Sequence, residues 1–155
     1  MTQLPERSEP NGAHPRVSYV IARLDRAIRR EISEMVAPHG LTATQYTALS
    51  VLRASKGLSN AQLARRSYVT PQSMIEMLGT LEAKGLVVRS PAPDHGRILR
   101  TELTPKGRRL LARCDEAIDR LETEMTRELS PEQVQAFEQM LRSCVHMLHA
   151  GLPDS

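Results

Sequence analysis

The chain has no tryptophan, one phenylalanine and three tyrosines among its 155 residues. Single-stranded bases are held mainly by stacking on aromatic rings, so this scarcity argues against that mode and leaves the duplex as the better nucleic-acid partner. Cysteine is nearly as rare. Cys114 and Cys144 stand thirty residues apart without CxxC spacing, which excludes a disulfide framework. Both fall on apolar helix faces, the setting of buried thiols rather than of a redox switch or a metal site. No run approaches the ~18 apolar residues of a membrane span, and Met1 to Pro10 hold no hydrophobic signal core. A cytoplasmic protein without membrane contact is expected. Phosphate-cradling glycine motifs and activated nucleophiles are also missing. Asp94 and His95 are adjacent in a strand-like loop, where neighbouring side chains point apart, so no acid–base pair, no enzyme and no cofactor are expected.

What is present is segregated charge. Residues 53 to 113 hold 12 Lys and Arg against 4 Asp and Glu, while the remainder holds 9 against 14. The modest total of +3 therefore conceals a basic centre, which points to a polyanionic partner more strongly than the total does.

The length suits one domain, or one domain with a dimerisation appendage. Residues 1 to about 14, with Pro5, Pro10, Asn11 and Gly12, have no periodicity and are expected to form a flexible arm. From Arg16, apolar residues from Val17 to Met35 recur at three- and four-residue steps, predicting one long helix that ends before Pro38. The charged residues between them read as a solvated face. Thr42 to Gln45 and Ser59 to Gln62 are capping boxes, predicting helices over 43–53, burying Tyr46, Leu49 and Leu52, and over 60–66, burying Leu63. Thr70-Pro71 opens another helix, burying Met74, Leu78 and Leu81 and closing at Gly85. Strands are predicted over 86–89 and 98–103, with Ser90 to Arg97 projecting as a loop too long for a tight turn.

Thr104-Pro105 repeats the cap-and-proline signature for a helix running to about Glu128, with the stripe Leu110, Cys114, Ile118, Leu121 and Met125. A third capping box at Ser130 starts a last helix whose apolar face carries Val134, Phe137, Leu141, Cys144, Val145 and Leu148. A helix of ~24 residues spans about 36 Å, more than a small lobe covers, so a second copy of the chain is the expected partner.

Two helices joined by a tight turn at Ser67-Tyr-Val and followed by a hairpin form the layout that sets one helix in a major groove with a basic loop beside it. The reading is a mainly α, winged helix-turn-helix regulator of duplex DNA. Its wing has two or three strands, and its N- and C-terminal helices form a dimerisation region. On the first turn of the second helix, Gln72 can pair with adenine and Ser73 with several acceptors or a phosphate, while Thr70 can offer a hydroxyl to a phosphate. Glu76 can accept from cytosine N4, although an intramolecular salt bridge is the more economical role for a carboxylate near DNA. Arg65 and Arg66 are placed against phosphate. Arg97, at the loop tip, suits a narrow minor groove, and Arg89 and Arg100 on the hairpin arms add phosphate contacts or brace the wing.

The same residues carry a family resemblance. The order of elements, Leu41-Thr-x-x-Gln45-Tyr46, Leu81-Glu-Ala-Lys-Gly85-Leu-Val, Pro93-Asp-His-Gly-Arg97 and Leu103-Thr-Pro-Lys-Gly107 together resemble the MarR family of bacterial transcription regulators over about residues 16 to 149. The resemblance implies a DNA-binding lobe over about 41–104 and a homodimer built from 15–37 and 105–150. It also implies a pseudo-palindromic operator and, frequently, repression relieved by a small ligand, here an anionic or aromatic one. It makes Arg97 the minor-groove arginine and Arg16, His39, Tyr46 and Arg113 the candidate effector linings. Two residues depart from the family pattern, His95 where an aspartate often precedes the wing arginine and Glu76 where a donor is common. A metal-responsive regulator using His146 and His149, spaced i, i+3, and a non-DNA interaction module are the alternatives.

Overall fold

The computed structural model describes residues 15–149, and the expected N-terminal arm lies outside them. Helix α1 (Val17–Val36) continues through a 3-10 turn (Ala37–His39) into α2 (Ala43–Ala54), then β1 (Leu58–Ser59), α3 (Asn60–Arg66) and α4 (Pro71–Ala83). The hairpin β2 (Val87–Ala92) and β3 (His95–Leu103) leads into α5 (Pro105–Met125) and α6 (Pro131–Met147). All three capping boxes form, with the hydroxyls of Thr42, Ser59 and Ser130 accepting from the backbone N–H groups of Gln45, Gln62 and Gln133. The core lies where α2, α3, α4, the sheet and the start of α5 converge, and Leu49, Leu63, Met74, Leu78, Leu81 and Leu111 are fully buried there.

The sheet is antiparallel with order β1-β3-β2, so the wing has the third strand allowed for it, supplied by Leu58–Ser59. The wing also differs from the long loop expected over 90–97. The ladder continues through Ser90↔Arg100 and Pro91↔Leu99 to Ala92↔His95, with a register shift at Pro91, leaving Pro93-Asp94 as a tight connection. Prolines suggested a loop, but β2 is an edge strand, where a missing N–H costs no ladder bond and a bulge is tolerated.

The last two helices keep their expected apolar faces, with less cover than a core stripe has. On α5 the buried residues are Gly107, Leu111, Cys114 and Ala117, which share the face of the expected stripe. Leu110, Ile118 and Leu121 are half-buried and Met125 is exposed, so cover by the chain's own lobe declines towards the C-terminal end of α5. Helix α6 buries nothing: Val134, Phe137 and Leu141 are half-buried, and Cys144, Val145 and Leu148 are exposed, against the expectation of a buried Cys144 thiol. The apolar period had identified the face correctly, but this chain does not reach far enough to cover it.

Candidate nucleic-acid interface

Helices α3 and α4 are locked at a defined angle by local bonding. At the end of α3, Val69 N–H donates to Ala64 O at 3.1 Å and Tyr68 N–H to Arg65 O at 3.3 Å. Asn60 Nδ2 donates across to Pro71 O at 3.2 Å. Thr70 then caps α4, its Oγ1 accepting from Ser73 N–H at 3.1 Å while its hydroxyl donates to Ser73 Oγ at 2.9 Å. A hydroxyl has one proton, so Thr70 spends its donor on Ser73, and Ser73 holds the proton that can be offered outward.

Burying Met74, Leu78 and Leu81 turns Gln72, Ser73 and Glu76 outward, and all three are exposed. Among the described residues no ion pair includes Glu76, so the intramolecular bridge expected for it is not formed. Ile75 is 48% exposed on the same face. It was overlooked in the sequence, although an apolar residue lying off the core stripe was the available signal, and such a side chain can meet a thymine methyl group.

The basic residues divide into committed and outward ones. Arg89 donates Nε to Glu82 at 2.8 Å, with a second contact at 2.6 Å, tying β2 to α4 as a brace. Arg66, half-buried, donates to Ser55 Oγ at 2.8 Å, and Arg100 donates to Gly57 O at 3.3 Å. Lys84 and Lys106 satisfy the carbonyls of Gly40 and Lys84 at 2.7 and 2.9 Å. The charge excess counted from sequence therefore overstates what a polyanion can meet. Arg65 is exposed on the last turn of α3, and Arg97 is exposed on β3 close to the tip, within a strand rather than in the loop expected.

The candidate effector linings are not gathered within one chain. Arg16 precedes α1 and His39 follows it, so a 20-residue helix separates them by about 30 Å. Tyr46 Oη donates to Asp115 Oδ1 at 3.0 Å, and the Arg53 guanidinium engages both oxygens of the same carboxylate, one of them at 3.4 Å. Burial, reinforced by the hydrogen bond to Asp115, pushes the Tyr46 phenol up to about 12. Arg113 is exposed on α5, one turn before the buried Ala117. An open cleft of about 440 Å³ lies along Tyr19, Arg23, Arg26 and Arg30 of α1, and another of about 350 Å³ lies beside Lys56, Ser90, Arg100 and Glu102. Neither is lined by His39, Tyr46 or Arg113. His146 and His149 do not share a helical face, because α6 ends at Met147 and His149 has a left-handed backbone (φ 51°). Among the described residues no group of three or more His, Cys, Asp or Glu side chains is placed to hold a metal ion, and no helix is long and apolar enough to cross a membrane.

A capped helix with a polar outer first turn, fixed against a shorter helix and flanked by a three-stranded wing, defines a winged helix-turn-helix protein. The MarR family profile matches residues 39–98. The HTH-type transcriptional repressor Rv2887 of Mycobacterium tuberculosis is 35% identical over 125 residues, which span 81% of this chain and 90% of that protein. The chain belongs to the MarR family. Among solved structures, the transcriptional repressor CouR bound to a 23-mer DNA duplex matches with TM-score 0.75 at 29% identity, over 84% of this chain and 92% of that one. The complex of Rv2887 with salicylic acid matches with TM-score 0.69 at 34% identity, over 84% and 97%.

Proposed function

We propose that this protein is a sequence-specific repressor that binds a pseudo-palindromic operator as a homodimer and is released by a small anionic, aromatic ligand; it acts by binding and not by catalysis. The observation that carries the reading is the division of α4, whose inner face is fully buried while Gln72 and Ser73 stand in solvent at its N-terminal turn. There they reach base edges, with Arg65 on phosphate and Arg97 in the adjacent minor groove. The uncovered faces of α1, α5 and α6 supply the dimer contact. Val17, Val20 and Ile21 are exposed at one end of the chain and Val145, Met147 and Leu148 at the other. The DNA complex of CouR and the salicylic acid complex of Rv2887 support the two ligand classes.

Arg16, His39, Tyr46 and Arg113 remain the proposed effector contacts, with Arg16 supplied by the partner copy, because one chain cannot bring it to the others. A ligand seated there favours a dimer whose α4 helices leave the ~34 Å spacing of successive major grooves, and DNA affinity falls by population shift. Nuclease footprinting on the DNA upstream of the protein's own gene tests the reading. Two symmetric protected segments one helical turn apart, lost on adding salicylate, are expected; uniform cleavage would remove the operator claim.

A further inference from the structure

The outer face of α4 holds a gap beside an apolar side chain. Gln72, Ile75, Glu76 and Gly79 recur at three- and four-residue steps on the side away from Met74, Leu78 and Leu81, and all four are exposed. A glycine in a helix interior weakens the helix relative to alanine, so Gly79 calls for a reason. The backbone gives none, because Gly79 lacks the left-handed conformation of Gly40, Gly57 and Gly85. Packing gives none either. A Cβ at Gly79 would meet no side chain of another turn and no other element within 4 Å among the described residues, whereas one at Gly107 would press into the Leu86 carbonyl oxygen. What Gly79 leaves is space over the preceding turn. Side chains on a helix lean towards its N-terminus, so a long residue at 79 would lie over Ile75. Ile75 stands 48% exposed there, one turn from Gln72 and beside the carboxylate of Glu76. An apolar side chain kept uncovered in the middle of a polar face suits an apolar group on the partner. On the base edges of a major groove, that group is the thymine C5-methyl.

We propose that Ile75 and Gly79 form a slot for a thymine methyl group, Ile75 packing against the methyl and Gly79 leaving room for the helix to approach it. The inference rests on the repressor reading and adds a base that hydrogen-bonding side chains do not select. The test is fluorescence anisotropy of the full chain on the upstream duplex, on a scrambled duplex, and on the upstream duplex with every thymine replaced by uracil. Uracil keeps the pairing and removes only the methyl group. Wild-type protein should lose about four-fold or more in affinity per half-site on the uracil duplex. Ile75→Ala should bind the thymine and uracil duplexes within about two-fold of each other, since the methyl has lost its partner. Gly79→Leu should also lose this discrimination and bind the thymine duplex about ten-fold more weakly, while melting at the wild-type temperature or up to about 4 °C above it. That opposition between binding and stability separates the slot from a folding defect. Wild-type protein that binds both upstream duplexes equally would overturn the proposal, as would an Ile75→Ala chain that keeps the full uracil penalty. Gly79→Leu with wild-type affinity and discrimination would overturn it too. Wild-type protein that binds neither the upstream nor the scrambled duplex would remove the repressor reading, whereas selective upstream binding without a uracil penalty would leave that reading standing and remove the slot alone.

Discussion

Gln72 carries the most specific expectation at the scale of single residues, because its amide is exposed where α4 begins and can form a bidentate pair with one adenine. Gln72→Ala should cost roughly 1–3 kcal/mol on the operator and little on random DNA. Equal loss on both, measured by competition binding, would make it a positioning residue. Arg97→Ala should weaken operator binding and relax the preference for A·T pairs flanking the half-sites; an unchanged preference would remove Arg97 from the minor groove. Tyr46 gives a pH prediction. Its phenol holds its proton to about 12 in the folded chain, against about 10 when unfolded. The stability linked to that difference is intact below pH 10 and is lost as pH rises towards 12. Tyr46→Phe should therefore flatten the alkaline fall in melting temperature, and an unchanged fall would mean that another group controls it. The outward residues on the first turn of α4 could be named from their position after a capping signal. Their internal partners could not. Asp115 lies 69 positions from Tyr46, and nothing local marks it as the acceptor that joins α2 to α5.

At the scale of elements, α3 was legible to the residue and α4 to within a residue at each end, because caps, a first-turn proline and Gly85 mark their ends chemically. The wing was not, since prolines signal a loop until the sheet order shows that β2 is an edge strand that tolerates them. Gly107 shows how packing overrides propensity. Substituting alanine for glycine in a helix ordinarily stabilises it by about 1 kcal/mol. A Cβ at Gly107 would press into the Leu86 carbonyl oxygen and stand 3.3 Å from Leu103 Cδ2, so the first turn of α5 could not keep its approach to the sheet. Gly107→Ala should therefore lower stability by about 1–3 kcal/mol in denaturant unfolding, and a gain would show that α5 shifts freely. The apolar periods of α5 and α6 located their faces but not what covers them. A period records which side is apolar, whereas full burial at Leu111 and Ala117 and half-burial at Ile118 and Leu121, all on one face, depends on tertiary placement.

On the scale of the whole molecule, the proposed function gives the basic centre to DNA and the uncovered terminal helices to a second copy. Leu148, 80% exposed, and Val20, 48% exposed, are apolar side chains with little cover from their own chain. Replacing either with glutamate should shift sedimentation towards the monomer and reduce operator affinity at least about ten-fold, because one lobe then engages one half-site. A variant that sediments as wild type would place the interface elsewhere. The fold class could be anticipated because capping patterns encode it, and local charge pointed to the proposed DNA partner. How far apart the candidate effector residues lie within one chain could not, because nothing local shows that Arg16 and His39 fall at opposite ends of α1. The most direct test of the repressor reading is fluorescence anisotropy of the full chain on the DNA upstream of its gene and on a scrambled duplex across a salt series. Selective binding to the upstream duplex, with log affinity falling steeply and linearly in log salt, is the expected result. Weak or absent binding that is the same for both duplexes and insensitive to salt would contradict it.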